Sequence, residues 1–443
     1  MSNSMPLVQA LRGHLSLGRI SFHTPGHKGL PSPLDGLGDL KRLDLTELPD
    51  TDSLYEADGP IAQAMELAAG FFHAKRTLLS SGGCTLCIQA MLYLAAPTGG
   101  KVIFGRTLHR SAVNAMALLD LEPVYLERPW LEQENLIGPI TPEQVEISLK
   151  NHPNIKTVCI TSPTYAGVLS DIEAISSVIH AYGGRLFVDG AHGAHLPFLG
   201  LTPFAGADGV VVSAHKTLPA LGQAALLFTN GMDPDRVRRM ASVFGTSSPS
   251  YPILASMDAA RAWLEGDGAR AYRQTALRVA QLRSRFPSLA GDLSLDPARL
   301  TLNVQDGPSF ARSLEEQNIF PEMEDGGHVV FICTPQDLEE NFDRLERALE
   351  GMEDRMGPCP PLPSPPLPER ACSLREALFA PTQLVPLYHS AGRVSAAQIA
   401  PYPPGVPVVA PGERISEKEL AYFRKIGYNS TDIPVIVSRD GEV

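Results

Sequence analysis

The sequence lacks the features that mark secreted, membrane-spanning or nucleic-acid-binding proteins. Its 443 residues include only six cysteines and two tryptophans. No apolar run approaches the roughly 18 residues that a membrane-spanning helix needs. There is no long basic run, and the formal net charge of −12 argues against a nucleic-acid partner. The N-terminus has no continuous apolar stretch followed by small residues, so no signal peptide is predicted. We therefore expect a cytoplasmic protein without membrane or nucleic-acid partners.

The scattered cysteines predict no metal site. Cys84 and Cys87 form a CxxC pair, but no second pair completes the four ligands of a zinc site. The pair stands where a Gly-rich loop enters a predicted helix. Two interpretations remain: a redox pair, or two small residues at a crowded helix start. The second is the commoner arrangement.

The composition is that of a globular protein with a large core, since 44% of the residues are apolar and 19% are charged. Its length is sufficient for several domains. A proline-rich stretch, GPCPPLPSPPLP, marks the clearest linker. We predict an N-terminal arm (1–40, with a helical pattern over 1–20), a large domain (41–255), a small α+β subdomain (256–356), the linker (357–370) and a C-terminal domain (371–443).

Strand and helix patterns alternate through the large domain, which is typical of a doubly wound, mainly parallel α/β sheet. After Ser250 the pattern changes to a long helix over Ile253–Phe286 and then to the strands of a smaller α+β unit. The predicted strands of the large domain are Thr77–Ser80, Lys101–Phe104, Pro123–Leu126, Ile155–Thr161, Arg185–Val188, Val210–Val212 and Gln223–Thr229.

Lys216 and Asp189 each follow a buried, β-branched strand. Open α/β sheets place their chemistry at the carboxyl ends of such strands, so the two side chains would reach one crevice. An ordinary ion pair at the sheet edge is the simpler interpretation. However, Ser213 and His215 accompany the lysine, and histidines follow the aspartate. This combination favours a pyridoxal phosphate site, in which the lysine forms the Schiff base and the aspartate keeps the pyridine nitrogen protonated.

Two other segments suit the same cofactor. In SSGGCT, Gly83 lets the backbone approach closely, and the free N–H groups of the following helix favour a phosphate. The loop is neither a P-loop nor a GxGxxG fingerprint, which argues against a nucleotide. His109 stands at the start of a predicted helix. There it is either a cap or surface residue, or a ring that stacks on the pyridine.

Nine ordered blocks give the sequence a specific resemblance. It resembles the ornithine/lysine/arginine decarboxylase family, in the short form without a receiver-like wing domain. The blocks are HTPGHKG, DLTELPDTDSL, GPIAQAMELAAGFF, GRTLHRSAVNAM, TSPTYAGVLSDI, VDGAHGAH, SAHKTLPAL, GTSSPSYPILASMDAAR and PYPPGVPVVAPGE.

The resemblance implies the aspartate-aminotransferase-like fold (fold type I) and a pyridoxal phosphate-dependent decarboxylation of arginine, lysine or ornithine to an amine of the polyamine pathway. It implies that Lys216 carries the cofactor and that Asp189 binds the pyridine nitrogen. In the mechanism that we expect, Lys216 or His215 protonates Cα. The other implied cofactor contacts are the stacking His109, the nearby His192, and Gly83, Cys84, Ser213 and His215 around the phosphate.

Family members are homodimers or larger oligomers with active sites at subunit interfaces. The resemblance therefore implies that the acidic loop Asp44–Asp52 and the turn Thr246–Ser248 reach a neighbouring subunit's site.

The sequence also departs from the family pattern. Gly190 replaces a glutamate in DEAHGAH, and Gly83-Cys84 replaces a Ser/Thr pair. Tyr388-His389-Ser390 stands where glutamates are usual. A buried substrate cation needs a carboxylate, so another acid must serve.

We nominate Glu413, or Asp52 from a neighbouring subunit, as that acid. Glu413 could equally cap a helix that begins near Ser416. Two alternative functions remain: a pyridoxal phosphate enzyme acting on another bond or amino acid, such as an aminotransferase or lyase, and a catalytically quiet homologue.

Overall fold

Short apolar segments rich in Val, Ile and Leu form most of the strands. The computed structural model describes residues 16–38, 40–127, 129–401, 407–429 and 432–437. In chain order the strands are β1 (Ile20–Phe22), β2 (Arg76–Ser80), β3 (Lys101–Gly105), β4 (Glu122–Leu126), β5 (Trp130–Leu131), β6 (Leu136–Ile137), β7 (Thr157–Thr161), β8 (Arg185–Asp189), β9 (Gly209–Ser213), β10 (Ala225–Thr229), β11 (Arg299–Asn303), β12 (Ile319–Pro321), β13 (Met323–Glu324), β14 (His328–Ile332), β15 (Thr382–Pro386) and β16 (Asp432–Ile436).

The α-helices alternate with these strands in the first half of the chain. Several of them begin with proline, whose fixed φ suits the first helical positions. In chain order the helices are α1 (Leu40–Leu43), α2 (Pro60–Phe71), α3 (Gly83–Ala95), α4 (Arg110–Leu118), α5 (Pro142–Asn151), α6 (Ile172–Ala181), α7 (Ala214–Thr217), α8 (Pro234–Phe244), α9 (Tyr251–Trp263), α10 (Ala269–Arg285), α11 (Gly307–Glu315), α12 (Glu339–Glu350), α13 (Leu374–Phe379) and α14 (Glu417–Lys425).

A seven-stranded sheet organises the large α/β unit. Its order is β2-β10-β9-β8-β7-β3-β4, and β10 alone runs antiparallel to its neighbours. The predicted doubly wound, mainly parallel sheet is confirmed, and the seven predicted strands are shifted by at most two residues at either end. Thr161 of β7 and Val211 of β9 flank Asp189 of β8, so these strands present their carboxyl ends at the same edge.

Smaller sheets follow. Strands β11, β14 and β13 form an antiparallel sheet with its own apolar core, and β15 pairs with β16 over a further core. Strand β1 pairs in parallel with β12. Residues 1–15 of the predicted arm lie outside the described residues. Within the described part of the predicted arm, Ile20–Phe22 is the strand β1.

One long helix was expected over Ile253–Phe286, but the structure divides it. Helices α9 and α10 are separated by Leu264–Gly268, where Gly266 has a non-helical backbone (φ −93°, ψ −106°). Glycine tolerates such a conformation and lowers helix stability, so the break falls at this residue. Among the described residues, no helix has the length and apolar character needed to cross a membrane.

Candidate active site

A cavity of about 1030 Å³ lies at the carboxyl ends of the central strands. It also receives side chains from the small sheet, the proline-rich segment and the C-terminal unit. The structure brings all of the predicted cofactor residues to its wall: Gly83, Cys84, His109, Asp189, His192, Ser213, His215 and Lys216.

Asp189 is the last residue of β8, which is buried from its second residue onward, and Asp189 itself is only 7% exposed. The Ala191 N–H donates to its Oδ1 over 3.2 Å. Burial raises the pKa of Asp189, although nearby Lys216 and the Ala191 hydrogen bond oppose the rise. A buried carboxylate of this kind gains stability from a cation placed beside it. Asp189 is therefore suited to hold a protonated ring nitrogen.

Lys216 lies on α7, the single helical turn that follows Ser213 at the end of β9. Its Nζ is 3.0 Å from Nε2 of His192. The simpler interpretation of the sequence, a direct ion pair with Asp189, is wrong, because the amine contacts the histidine instead. The amine lines the cavity and is available to an aldehyde.

Three histidines around Lys216 are held neutral. Burial, then Lys216 and Arg110, lower the pKa of His109 to about 4. Burial lowers the pKa of His192 well below its usual value, and also that of His215. His109 caps α4 through Nδ1, which accepts the Ser111 N–H over 3.2 Å. Its ring therefore caps a helix and also lines the cavity, uncharged and able to stack.

The start of α3 suits a phosphate. Gly83 has φ +71°, a conformation that favours glycine, and its N–H donates to the Gln223 carbonyl. The helix α3 begins without a side-chain cap. The Ser213 hydroxyl lies 3.0 Å from Cys84 Sγ. Burial raises the pKa of the Cys84 thiol and raises that of Cys87 to about 12. Both thiols are thus protonated, which supports a packing role over a redox role.

Asp52 does not reach the cavity lined by the described residues. Its Oδ1 accepts the N–H groups of Ser53 and Asp58, and its Oδ2 accepts that of Gly59 and the first N–H groups of α2. Burial opposes ionisation, but these hydrogen bonds outweigh it and lower the pKa of Asp52. Asp52 therefore organises the loop before α2 within its own subunit, and its nomination as a substrate ligand of a neighbouring subunit stays a prediction.

Glu413 also has a structural partner. Nη2 of the buried Arg106 donates to its Oε2 over 2.6 Å, and the Ala410 N–H donates to the same oxygen over 2.7 Å. The Arg106 guanidinium also lies over the Tyr125 ring, 4.4 Å from its centroid. The helix-cap interpretation of Glu413 is wrong, since Ser416 caps α14. Glu413 is not among the described residues that line the cavity, and its nomination as the acid for the substrate stays a prediction.

Glu413→Gln is expected to lower the free energy of unfolding by about 3–5 kcal/mol, because it leaves Arg106 buried without its carboxylate. The urea midpoint measures this loss. The matched control is Glu417→Gln, which removes an exposed carboxylate 3.8 Å from Arg424. We expect the control to change stability by less than about 0.5 kcal/mol. Equal midpoints for the two variants would contradict the role assigned to Glu413.

Several cavity residues were missed in the sequence. Tyr165 lines the cavity and donates its hydroxyl to Glu322 over 2.7 Å. The proline-rich segment is more than a spacer, since Cys359 and Leu362 line the cavity and the Leu362 N–H donates to Asn135 over 2.7 Å. The buried Arg299, the first residue of β11, was also missed, and it contacts His192 of the cavity wall.

The site combines a lysine and a buried aspartate at the carboxyl ends of a mainly parallel sheet. Neutral histidines and an uncapped helix start surround them. This arrangement defines a pyridoxal phosphate-dependent enzyme of fold type I. The family comparisons agree. Residues 5–310 match the model for "Orn/Lys/Arg decarboxylase, major domain", and residues 367–434 match that for the C-terminal domain. The chain belongs to this family and is a pyridoxal phosphate-dependent amino-acid decarboxylase.

Named relatives extend over nearly the whole chain. The chain is 31% identical to an arginine decarboxylase of Bacillus subtilis, over 95% of this chain and 93% of that protein. It is 32% identical to an arginine decarboxylase of Halalkalibacterium halodurans, over 97% and 94%. The constitutive lysine decarboxylase of E. coli superposes with a TM-score of 0.77 at 20% identity, covering 98% of this chain and 82% of that one. This last likeness supports the fold.

Proposed function

We propose that the enzyme decarboxylates a basic amino acid, with arginine as the first candidate, and releases CO2 and the corresponding polyamine-pathway amine. Two relatives that match nearly end to end are named arginine decarboxylase. The observation that carries the proposal is that one cavity contains both the Lys216–Asp189 site and further carboxylates, those of Asp306, Glu324 and Asp325. A guanidinium or ammonium group needs such an acidic partner.

When bound, pyridoxal phosphate supplies the electron sink for the electron pair left by the departing carboxylate. The chain's own residues do the rest. Lys216 would bind the aldehyde, Asp189 would hold the proton on the ring nitrogen, and His109 would stack on the ring as a neutral imidazole. Gly83 and Ser213 contribute to the phosphate site.

Lys216 is the better candidate for the proton delivered to Cα. Nδ1 of His215 lies 3.0 Å from the Ala224 carbonyl oxygen, and only an N–H can make that contact. In the neutral ring, Nε2 of His215 therefore has no proton to give. The lysine amine carries protons on the cavity side, so we assign the transfer to Lys216.

Glu324 is the best candidate for the substrate's distal cation. It lines the cavity at the end of β13. Burial raises its pKa, and the nearby carboxylates of Glu315 and Asp325 raise it further. Asp325 is already occupied, since it accepts hydrogen bonds from the Gly327 N–H and the His328 ring. A cation bound beside Glu324 would relieve both the desolvation and the repulsion of this carboxylate.

Glu324→Gln is expected to raise KM for arginine about tenfold or more, since a hydrogen bond to a charged group contributes about 1.5–3 kcal/mol. Steady-state kinetics measures it, together with cofactor affinity, which should stay unchanged. Glu315→Gln is the matched control: it removes an exposed neighbouring acid on α11 that is not part of the cavity wall. A KM for Glu324→Gln equal to that of the control would exclude this role.

The amino-acid preference is tested by CO2 release from a panel containing arginine, lysine, ornithine, glutamate and leucine. We expect turnover of one or more basic amino acids and none of the others. Consumption of glutamate or leucine without any basic substrate would contradict the proposal. Tyr388-His389-Ser390 would not account for that result through the cavity, because Tyr388 and Ser390 bond within the C-terminal unit, to the Tyr428 and Leu387 carbonyls.

We further propose that the active species is a homodimer or larger homo-oligomer, and that the segments bounded at 40, 255, 356 and 370 are its domains. The family matches at 5–310 and 367–434 support a division near the proline-rich segment. Sedimentation at assay concentration tests the oligomer, and a fully active monomer would contradict it. A cytoplasmic location stays a prediction.

A further inference from the structure

A buried arginine from the small sheet reaches the lysine site. Arg299 is 1% exposed, and its Nη2 lies 3.4 Å from Nδ1 of His192. Its Nε lies 3.6 Å from Oδ2 of Asp296, which is also 1% exposed. His192 Nε2 in turn lies 3.0 Å from Nζ of Lys216. The contacts thus run from Asp296 through Arg299 and His192 to the amine.

Asp296, the residue farthest from Lys216 in this series of contacts, is ionised. Burial opposes ionisation of Asp296, but His195 and Arg299 outweigh it and hold its pKa at about 2. The His195 ring contributes through Nε2, 2.8 Å from Oδ1 of Asp296. An ionised Asp296 compensates the Arg299 charge, so the guanidinium persists although it is buried.

The chemistry of arginine fixes the proton on His192. A guanidinium only donates hydrogen bonds, so Nδ1 of His192 must accept. In the neutral imidazole the proton is then on Nε2. This N–H points at Nζ of Lys216, and an N–H donor requires an acceptor there. An ammonium has no acceptor, whereas a neutral amine has a lone pair.

We propose that Arg299 is a positioning residue that fixes His192 as the Nε2–H tautomer and thereby holds Lys216 as the neutral amine that captures the cofactor's aldehyde. This inference rests on the proposed function, because it assigns Lys216 as the capturing residue. In the capture, the Nζ lone pair forms a bond to the aldehyde carbon, and one amine proton moves to the oxygen. The C=N bond then forms as the hydroxyl group departs together with the second amine proton, as one molecule of water.

Other groups also act on Lys216. Asp189 interacts with it electrostatically, whereas His109 and His215 approach it as neutral rings and Cys84 as a thiol. Arg299 differs from all of them because it acts through the proton on His192. Variants of Arg299 leave these four side chains in place, so they measure the effect of Arg299 on Lys216 separately from theirs.

The wild-type tautomer provides the first test and needs no stability-altering variant. With ¹⁵N-labelled histidine in the full chain freed of cofactor, the His192 signals are assigned by their loss in His192→Asn. We expect a protonated Nε2 and an unprotonated Nδ1. A proton on Nδ1 would overturn the inference.

The second test measures the rate of C=N formation with added pyridoxal phosphate as a function of pH. Arg299→Met should move the half-maximal rate to higher pH and slow capture about tenfold near neutrality, since a hydrogen bond that now favours the ammonium shifts the midpoint by about one pH unit. Arg299→Lys retains a donor-only cation and should restore the wild-type midpoint. Arg106→Met removes another buried, carboxylate-paired arginine and should leave the midpoint unchanged.

The possible outcomes distinguish a failure of the role of Arg299 from a failure of the assignment of Lys216. A wild-type midpoint in Arg299→Met, or an equal shift in Arg106→Met, overturns the role of Arg299 while the proposed function stands. Wild-type protein that captures no cofactor at any pH overturns the assignment of Lys216 and this inference with it. If Arg299→Met does not fold, the tautomer measurement decides alone.

Discussion

Lys216→Ala is expected to lower kcat by at least about 10³-fold, because the residue is assigned both cofactor attachment and a proton transfer. Removing it also removes the amine at the end of β9 that contacts His192. Borohydride should no longer fix the cofactor on the protein, although noncovalent binding should persist through the phosphate and ring contacts. Amine release and absorbance of the bound cofactor measure the two effects.

Lys156→Ala is the matched control for this variant. Lys156 is an exposed lysine whose Nζ donates to the Tyr182 carbonyl over 2.6 Å, outside the cavity. We expect it to keep wild-type turnover. A Lys216→Ala protein that keeps both turnover and a reducible adduct would show that another amine has the role.

Asp189→Asn should keep the cofactor but lose about 10²–10³-fold in kcat, comparable to the loss of one preorganised electrostatic partner. The amide is nearly isosteric, so the Ala191 N–H contact survives. It carries no charge, so it cannot hold a proton on the ring nitrogen as a carboxylate does. KM should change much less than kcat.

Steady-state kinetics and a cofactor titration test this split. Asp171→Asn is the control: Asp171 is an exposed carboxylate that caps α6, and asparagine caps about as well. Near-wild-type kcat in Asp189→Asn would remove Asp189 from the proposed role.

The sequence could predict that Asp189 and Lys216 lie close together. Each stands at or just after the end of a strand, and neighbouring parallel strands have their carboxyl ends at the same edge of the sheet. His192, Ser213 and His215 could be placed at the same site because they are close to Asp189 or Lys216 in the sequence. His109 and Gly83 followed from helix starts. Strand and helix periodicity is local information, so these positions required no knowledge of distant contacts.

The contacts that the sequence did not reveal belong to charged residues whose partners are set by the local backbone or by distant packing. Asp52 accepts hydrogen bonds from loop and helix N–H groups, a geometry that depends on its φ of +72°. Glu413 meets Arg106 from 307 positions away in the sequence. Arg299 reaches His192 across two sheets. Residue types and spacings do not encode such contacts, so their roles required the fold.

Reduction of the cofactor-loaded protein with borohydride, followed by mass spectrometry of its peptides, tests the central claim most directly. The account predicts that the reduced cofactor is attached to Lys216, in the peptide that follows β9, and that saturating amino-acid substrate protects this site during brief reduction. Attachment to another lysine, or no covalent attachment in a protein that still releases CO2, would contradict it.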